Sequence, residues 1–418
     1  MPALSLLKAM KHRVAPKLVL NRTPLDTQIA ELRAEIASLT KTRDELAQFK
    51  EDVWNNRHAN RMLHHSPSRI AGIAGTVRQS DAADDSSLIE RVTRAYRSAV
   101  RTPVGSTASM WLTAFADKNA ATHETLEHGD FDAVAAMLRD PGSSMLFYGF
   151  DNLQSAESAL RGKEGWTKWL HQLTYDSLLQ TCRAVGSRRL EFPEVAIDFD
   201  EAPPVEALLE ELDARLGFHI DFPNPFAGEI GIQTSRGIAS YRAVQALFQT
   251  YRIRQLVGDL SKASVMEIGA GLGRTGYYAV KMGISRYTII DIPLTGVAQG
   301  YYLGRVLGEN AVSLFGETAN TAVRVLPPVA YHELDEKFDL IVNVDSLTEM
   351  AQATASEYLT GAPRMTRQFL SINHENNGFT VESIYRAMPN VKAWRSPYCL
   401  RRGYVEELLS FGTRRRSR

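Results

Sequence analysis

The feature that most constrains the fold is a glycine-rich segment, VMEIGAGLGRTGYYA, in the second half of the 418-residue chain. An apolar run ends at Ile268, glycines follow at Gly269, Gly271 and Gly273, and the pattern then becomes helical. Glycine lets a backbone turn sharply and approach a ligand without interference from a side chain. A short strand, such a turn and a helix predict the first unit of a Rossmann-like, doubly wound α/β sheet, in which ligands bind beyond the carboxyl ends of the strands.

The sequence on both sides of this turn alternates between short apolar segments and helical segments. This alternation is typical of a doubly wound α/β sheet and predicts that residues 218–411 form one such domain. Six strands are predicted, at Val265–Gly269, Tyr287–Asp291, Val312–Phe315, Phe338–Val344, Phe369–Asn373 and Val391–Trp394. Four helices are predicted between them, at Arg274–Met282, Leu294–Leu307, Met350–Leu359 and Val381–Met388.

Acidic and polar side chains follow the predicted strands at the edge where a ligand would bind. Glu267 lies near the end of the first strand, and Asp291 ends the next one about twenty residues after the glycines, where a carboxylate can accept both hydroxyls of a ribose. We therefore expect a bound cofactor at this edge. The candidate cofactor-binding residues are Glu267, Gly269, Ala270, Gly271, Gly273, Asp291, Ile292 and Asn343.

Two cofactor classes fit this arrangement. The segment from Gly271 to Gly276 matches the G-x-G-x-x-G pattern of dinucleotide-binding proteins, which predicts a nicotinamide-dependent oxidoreductase. However, the strand breaks at Gly269, before that pattern begins, and Glu267 would bring a carboxylate close to a pyrophosphate. S-adenosylmethionine has no phosphate and carries a positive sulfonium, so an acidic turn suits it. The interpretation we prefer is an S-adenosylmethionine-dependent methyltransferase domain.

Several sequence blocks resemble the bacterial sugar O-methyltransferase family, whose members are associated with gene clusters for surface polysaccharide and lipopolysaccharide. The resemblance covers residues 218–409, roughly half of the chain. It implies transfer of a methyl group from S-adenosylmethionine to a hydroxyl of a sugar or surface-polysaccharide glycan. The blocks that carry it are NPFAGEIGIQTSRGIASYR, MEIGAGLGRTGYYA, YTIIDIPLTGVAQGYYLGRVLGE, FDLIVNVDSLTEM, FLSINHE and RRGYVEELL.

Methyl transfer to a hydroxyl calls for a general base, because the acceptor oxygen is a weak nucleophile until its proton leaves. His374, just past a predicted strand, is the candidate base, and Asp345 or Glu349 is the candidate group that orients it. The alternative role for His374 is a hydrogen bond to a loop backbone. A divalent metal held by these three residues and Glu375 is a competing mechanism, but no diagnostic ligand spacing supports it and we do not favour it.

A polar turn ahead of the sheet is the candidate substrate-binding segment. Thr234, Ser235 and Arg236 precede a predicted helix, and the amino end of a helix attracts anionic groups. The expected ligand is a carboxylate, either that of the cofactor's methionine part or that of an acidic sugar. A structural salt bridge of Arg236 is the alternative.

Residues 23–54 carry a heptad pattern that predicts a coiled-coil helix, with Thr23 and Pro24 at its start. Isoleucine at a and leucine at d favour parallel two-stranded coiled coils, so we expect a homo-oligomer. Packing of the helix against its own chain is one alternative. A non-catalytic scaffold is another, although a scaffold has no need for the polar set around His374. The seam consists of Leu25, Ile29, Leu32, Ile36, Leu39 and Leu46, interrupted by Arg43 and Lys50.

The remaining segments have weaker patterns. Residues 1–22 are predicted to be flexible, with a weak membrane-surface helix as the alternative, and residues 412–418 to form a basic tail. Residues 55–87 are predicted to be a linker. Residues 88–217 are expected to be helical and to form a lid or acceptor domain. The helices predicted there are Leu88–Val100, Phe131–Leu138, Trp166–Val185 and Val205–Leu216.

The overall composition excludes several classes of protein. Forty-eight basic and 48 acidic side chains cancel, which argues against a broad nucleic-acid surface. Only two cysteines occur, Cys182 and Cys399, far apart and without metal-ligand spacing, which favours a reducing cytoplasm. No apolar run approaches the roughly 20 residues needed to span a bilayer.

Overall fold

The computed structural model comprises two compact units, residues 1–57 and residues 58–418. The predictions for residues 1–21 and 413–418 lie outside the part of the chain that the structure describes. The described residues are 22–62, 75–78, 84–102, 116–141, 144–147, 164–190, 203–226, 229–318 and 321–412.

The first element is a helix of 41 residues, α1 (Arg22–Met62). It begins within one residue of the predicted start but continues eight residues past the predicted end at position 54. A short strand, β1 (Gly75–Arg78), also lies within the segment predicted to be a linker. Five large apolar side chains of the heptad seam, those from Ile29 to Leu46, are exposed, ranging from Ile29 at 40% to Ile36 at 63%. No described helix is long and apolar enough to cross a membrane.

Among the described residues that follow, five form helices longer than one turn, and the four that were predicted in this region are confirmed to within two residues. The additional one, from Ala116 to His128, was missed because its sequence has little amphipathic pattern. The five helices are α2 (Ser86–Val100), α3 (Ala116–His128), α4 (Phe131–Arg139), α5 (Glu164–Ala184) and α6 (Val205–Leu216).

The sheet of the second half has eight strands in the order β10-β11-β9-β8-β4-β5-β7-β6. Strands β6, β7, β5, β4, β8 and β9 are parallel, and β11 and β10 form an antiparallel hairpin on the β9 edge. The strands are β4 (Ser264–Ile268), β5 (Arg286–Ile290), β6 (Val312–Leu314), β7 (Val323–Leu326), β8 (Leu340–Val344), β9 (Gln368–His374), β10 (Val391–Pro397) and β11 (Tyr404–Phe411).

This topology is that of a Rossmann-like, doubly wound α/β fold. The chain leaves β4 toward β5 on one side and later returns to β8 on the other, so the order reverses at β4 and opens a crevice there. The helices of this half are α7 (Tyr241–Leu256), α8 (Arg274–Lys281), α9 (Pro293–Leu307), α10 (Pro328–Glu333), α11 (Gln352–Gly361) and α12 (Val381–Tyr385).

A second, three-stranded antiparallel sheet precedes this fold and was not predicted. It consists of β1, β2 (Glu229–Thr234) and β3 (Gly237–Ala239), in that order. The polar turn from Thr234 to Gly237 is therefore the turn of a hairpin. Helix α7 starts later, where the Ser240 side chain accepts a hydrogen bond from the Ala243 amide.

The helical region shares one apolar core with the Rossmann-like fold, so it differs from the separate domain that we expected. Leu88 and Val92 of α2 belong to the same buried cluster as Leu303 and Leu314. Gly300 and Gly304 of α9 allow this close approach, because a Cβ at Gly304 would lie 2.6 Å from Leu88 Cδ1.

A buried carboxylate, that of Asp85, stabilises the packing of the helical region against α9. The Asp85 carboxylate, only 1% exposed, accepts hydrogen bonds from Arg139 of α4 and from Tyr301 and Arg305 of α9. Burial opposes ionisation of Asp85, but these hydrogen bonds and charges outweigh it and lower its pKa. Asp85 was predicted to be part of a linker, and it instead joins α4 to α9.

Candidate functional site

The carboxyl ends of β4, β5, β8 and β9 surround a cavity of about 440 Å³. The glycine turn after β4 and the first turns of α7 form much of its wall, from Gly269 to Thr275 and from Arg242 to Gln249. All of its lining residues lie between positions 242 and 404. The described residues of the segment 88–217 therefore do not line the cavity, and the lid role of this segment stays a prediction.

The glycine turn adopts backbone conformations that favour glycine. Gly269, Gly271 and Gly273 have φ values of +71°, +55° and +86°. A Cβ at Gly269 would lie 2.1 Å from Ser346 Oγ, so no other residue fits there without displacing that side chain. Gly269, Ala270 and Gly271 line the cavity, whereas Gly273 caps α8 and faces Leu303.

Asp291 closes the end of β5 against the glycine turn. Its carboxylate accepts hydrogen bonds from the Ala270 amide at 2.9 Å, the Ile292 amide at 2.8 Å and Gln299 Nε2 at 2.6 Å. Burial raises the pKa of Asp291 to about 6, although these three hydrogen bonds act in the opposite direction. Asp291 and Ile292 both line the cavity, as expected from their position after the strand.

Glu267 is the second carboxyl group at the cavity and is buried, only 1% exposed. Its Oε2 accepts a hydrogen bond from the Tyr287 hydroxyl at 2.8 Å. Burial raises the pKa of Glu267 to about 8, the tyrosine opposes this shift, and the charge of Asp291 adds to it. A buried and a partly buried carboxyl group beside one turn favour a ligand that brings positive charge.

Asn343 does not reach the cavity wall. Its side chain is fully buried and donates to the Ile268 carbonyl at 2.8 Å, while its oxygen accepts from Asn373 Nδ2 at 2.8 Å. It thereby joins the carboxyl ends of β4, β8 and β9. Asn343 lies within β8, one residue before its end, and its side-chain amide is engaged in these bonds between strands.

Arg274, directly after the glycines, is held by a buried partner that sequence reasoning missed. Its Nη2 donates to Glu229 Oε1 at 2.9 Å, and both side chains are at most 6% exposed. Asn224 donates to the other oxygen of the same carboxylate. Asn224 and Glu229 both belong to the NPFAGE segment. Their separation of five residues was the only signal in the sequence that could have indicated this contact.

Asp345 is the centre of the opposite wall. It has a positive φ of +56°, which is unusual for a residue with a side chain. Its carboxylate accepts hydrogen bonds from Arg401 Nη1 at 2.7 Å and from the Tyr404 hydroxyl at 2.8 Å. Arg242 Nη1 lies 3.8 Å from the same group. Two cations and a phenol therefore surround one carboxylate.

His374 ends β9 beside this group. Its Nε2 lies 3.8 Å from Asp345 Oδ1, and its ring packs edge-on against Tyr404, with centroids 5.5 Å apart. The amide of Asn376 donates to His374 Nδ1 at 3.2 Å. Because Nδ1 accepts this hydrogen bond, the proton of the neutral ring lies on Nε2. The predicted backbone contact and the predicted proximity to Asp345 are thus both present.

The ligand atoms of Asp345, Glu349 and His374 lie within 4.8 Å of one another, so these side chains could hold a divalent cation. The fit is incomplete. Both oxygens of Asp345 already accept hydrogen bonds, and Nε2 of the histidine carries a proton in the observed contact. Glu375, the fourth predicted ligand, instead pairs with Arg395 at 2.7 Å, which lowers its pKa.

The predicted substrate-binding residues lie away from the cavity wall. Arg236 donates to Asp213 Oδ2 at 2.7 Å and to the Ile220 carbonyl, which is the structural salt bridge considered above. Ser235 bonds to the Glu206 carboxylate through its amide and hydroxyl. Thr234 donates to the Gly237 carbonyl within the hairpin turn. The structure brings none of the three into the site.

The lining residues that were not predicted include Arg242, Arg401 and Tyr404. Tyr404 starts β11 and is the register partner of His374 on β9. The RRGYVEELL block contained the signal for two of them, but it could be used only once the antiparallel pairing of β11 with β9 was known.

The strand order, the glycine turn and the cavity define a Rossmann-like α/β protein with a ligand site at the switch point of its sheet. No family model matches the chain, and no curated protein does. Solved structures do show similarity. Magnesium protoporphyrin IX methyltransferase (ChlM) from Synechocystis PCC 6803, with bound S-adenosylmethionine, is 14% identical, and the match covers 40% of this chain and 83% of that one at a TM-score of 0.29.

Two other solved structures are similar over the same share of the chain. The glycopeptide N-methyltransferase MtfA, complexed with S-adenosylmethionine, is 12% identical over 39% of this chain and 93% of its own, with a TM-score of 0.31. The methyltransferase domain of a bacterial Hen1 protein is 6% identical over 39% and 97%, with a TM-score of 0.30. These values are too low to assign a cofactor, an activity or a substrate to this chain.

Proposed function

We propose that the chain is an S-adenosylmethionine-dependent methyltransferase. The observation that carries the proposal is the pair of carboxyl groups beside the glycine turn at the cavity, the buried Glu267 and the partly buried Asp291. Burial raises the pKa of both, so a ligand with positive charge binds favourably next to them. The sulfonium and ammonium groups of S-adenosylmethionine supply that charge, and its ribose hydroxyls can donate to Asp291.

The nicotinamide alternative fits these residues less well. A pyrophosphate at the glycine turn would lie near Asp291, whose carboxyl group, with a pKa of about 6, is mostly ionised at neutral pH, and like charges in a partly buried site repel. The nearest cation of the turn, Arg274, is bonded to Glu229 at 2.9 Å and so does not offset that charge. The same carboxyl groups therefore favour one cofactor and disfavour the other.

We propose a hydroxyl of a sugar or surface-polysaccharide glycan as the acceptor, on the strength of the sequence resemblance. When bound, the cofactor supplies the methyl group for an in-line displacement. His374 is the proposed base, and Asp345, 3.8 Å from its Nε2, is positioned to stabilise the protonated ring. Before Nε2 can accept a proton, the ring must exchange its hydrogen bond with the Asn376 amide, since that bond keeps the proton on Nε2.

We propose that the reaction proceeds without a metal. Arg401 and Arg242 lie 2.7 and 3.8 Å from Asp345, and their charges already compensate the carboxylate that a divalent cation would use. A cation at this point would meet two guanidinium groups.

We also propose that the chain self-associates through α1 as a parallel coiled coil. Five apolar side chains of its seam are at least 40% exposed. Isoleucine at a and leucine at d are the residues that favour a two-stranded coiled coil. The seam residues are Ile29, Leu32, Ile36, Leu39 and Leu46.

A reducing, cytoplasmic location is proposed from the two cysteines. Cys182 and Cys399 are both free thiols. Disulfides form in oxidising compartments and are rare in the cytoplasm, so unpaired cysteines agree with the latter.

Calorimetric titration of the full chain with S-adenosylhomocysteine, and separately with NADH, tests the cofactor. We expect micromolar binding of S-adenosylhomocysteine and none of NADH. Binding of NADH alone would show that the glycine turn holds a dinucleotide and would remove the methyltransferase proposal. Absence of binding by either would favour a scaffold.

A further inference from the structure

Arg242 is a cation of the cavity wall whose charge is not matched by a close partner. It lies in the first turn of α7, lines the cavity, and its side chain is 32% exposed. We propose that Arg242 binds an anionic group of the acceptor, a carboxylate or a phosphate, so that the substrate is an acidic rather than a neutral sugar. This inference rests on the proposed methyltransferase function and narrows its substrate class.

The nearest carboxylate does not satisfy Arg242. Asp345 Oδ2 lies 3.8 Å from Arg242 Nη1, beyond hydrogen-bond distance, and the same oxygen accepts from Arg401 at 2.7 Å. The other oxygen of Asp345 accepts from Tyr404 at 2.8 Å. Among the residues that the structure describes, no carboxylate accepts a hydrogen bond from Arg242. Two guanidinium groups therefore share the Asp345 carboxylate, and only that of Arg401 is hydrogen-bonded to it.

Other partly buried arginines of this half of the chain differ from Arg242 in this respect. Arg274 has Glu229 at 2.9 Å, Arg236 has Asp213 at 2.7 Å and Arg252 has Glu406 at 2.6 Å. Their charges are neutralised within the protein, as is usual for partly buried arginines. Arg242 lines the cavity and lacks such a close carboxylate partner, and an anionic ligand would supply one.

A second donor points to the same conclusion. Arg401 also lines the cavity, and its Nε is buried without a hydrogen-bond partner in the described part of the chain. A buried donor without a partner is unfavourable by about 1–3 kcal/mol, so such groups usually meet a ligand or water. The amino end of α7, capped by Ser240, adds positive potential next to Arg242. An anion between the two arginines would accept from both.

The position of this pair suits the acceptor rather than the cofactor. Arg242 and Arg401 contact the Asp345 group beside His374, the proposed base. The cofactor residues Glu267 and Asp291 belong to the ends of β4 and β5, whereas Asp345 and His374 belong to the ends of β8 and β9. Binding of a sugar's acid group by Arg242 and Arg401 would hold a hydroxyl of that sugar near His374 for methyl transfer.

The test uses the full chain saturated with S-adenosylhomocysteine and three probes: methyl glucuronide, glucose 1-phosphate and methyl glucoside. We expect calorimetric binding of one or both anionic probes and none of the neutral one; which anion binds identifies a carboxylate or a phosphate. In Arg242→Gln the affinity for the anion should fall about tenfold or more, as expected for a lost charge-assisted hydrogen bond. The affinity for S-adenosylhomocysteine should not change.

Arg386→Gln is the matched control, because Arg386 is exposed and pairs with Glu382 outside the cavity. It should leave all affinities unchanged. Equal binding of the neutral probe, failure of both anions at millimolar concentration, or an unaltered anion affinity in Arg242→Gln would overturn the proposal. A loss of S-adenosylhomocysteine affinity in that variant would instead assign Arg242 to the methionine carboxylate. If S-adenosylhomocysteine does not bind the wild type, it is the methyltransferase proposal that fails.

Discussion

At the scale of single residues, the pKa of Glu267 links the folded state to pH. Burial raises this pKa from 4.5 to about 8, so the folded chain keeps a proton that the unfolded chain releases across that window. The unfolding free energy therefore falls as pH rises from about 4.5 to about 8. Glu267→Gln removes this titration, and we expect its melting temperature to fall less than that of the wild type over the same window.

Glu210→Gln is the control for this experiment, because Glu210 is an exposed glutamate on α6. Thermal unfolding of the three proteins at both ends of the window is the measurement. Parallel pH dependence of Glu267→Gln and wild type would contradict the role of this carboxyl group.

Asp291 is expected to control cofactor affinity. Its ionised carboxylate is the form that accepts the ribose hydroxyls, and its pKa is raised to about 6 by burial. Affinity for S-adenosylhomocysteine should therefore weaken as pH falls through about 6. Asp291→Ala should weaken it about tenfold or more at neutral pH, the size expected for hydrogen bonds to a charged group. Unchanged affinity in a calorimetric titration would remove Asp291 from the site.

The His374→Asn variant distinguishes a general base from a residue that only stabilises its loop by a hydrogen bond. The asparagine oxygen can replace Nδ1 as acceptor for the Asn376 amide, but nothing replaces Nε2. We expect turnover to fall roughly 100-fold to 10,000-fold, the usual contribution of a general base, while S-adenosylhomocysteine still binds. Turnover in His374→Asn close to wild type, with His374→Ala inactive, would mean that the histidine only fastens its loop.

Some of the site could be located from sequence because its residues are defined by their place along the chain. Glu267, Gly269 and Asp291 reach the cavity because each lies at the end of a strand next to a turn. Arg236 and Arg242 could not be distinguished in this way. Arg236 has a close carboxylate partner because the folded chain brings it next to Asp213 of α6, whereas Arg242 lies 3.8 Å from Asp345.

At the scale of elements, the fit of α2 against α9 depends on glycine. A Cβ at Gly304 would lie 2.6 Å from Leu88 Cδ1, whereas a Cβ at Gly296 of the same helix would lie 3.6 Å from Val325 Cγ1, an ordinary contact. Both changes to alanine raise helix propensity equally. We expect Gly304→Ala to be less stable than Gly296→Ala by about 1–3 kcal/mol, the usual effect of overpacking.

Denaturant unfolding of the two alanine variants measures this difference directly. Equal stability would show that α2 can move away from α9 without loss, which would contradict the close packing of Leu88.

The predicted strands of the sheet interior were confirmed because they are short and almost wholly apolar. Strand β11 was missed for a physical reason: its sequence contains Glu406 and Glu407, which are 4% and 3% exposed. Arg252 lies 2.6 Å from the first and Arg395 lies 3.0 Å from the second. A buried carboxylate interrupts the apolar pattern by which a strand is predicted. The arginines that pair with Glu406 and Glu407 come from other segments, so the sequence of β11 alone does not indicate that these groups are buried.

At the scale of the whole molecule, α1 is expected to set the oligomeric state. Light scattering coupled to size exclusion should give a multiple of 46.5 kDa for the full chain. Replacing Leu32 and Ile36 by lysine places two charges in the seam and should produce a monomer. Replacing Ala34 and Ala37 by lysine adds the same charge outside the seam and should leave the mass unchanged. A monomeric wild type would contradict the coiled coil.

The buried carboxylate of Asp85 has a consequence for how this protein can be shortened or recombined. Removing residues before position 218 would leave Arg305 without its 3.1 Å partner and uncover the side of α9 at Gly300 and Gly304 that α2 covers. A fragment that starts at the Rossmann-like sheet would thus present a fresh apolar surface and aggregate. The smallest fragment expected to keep the cavity therefore begins before Asp85. A gene fusion would have to include the helical region together with the sheet.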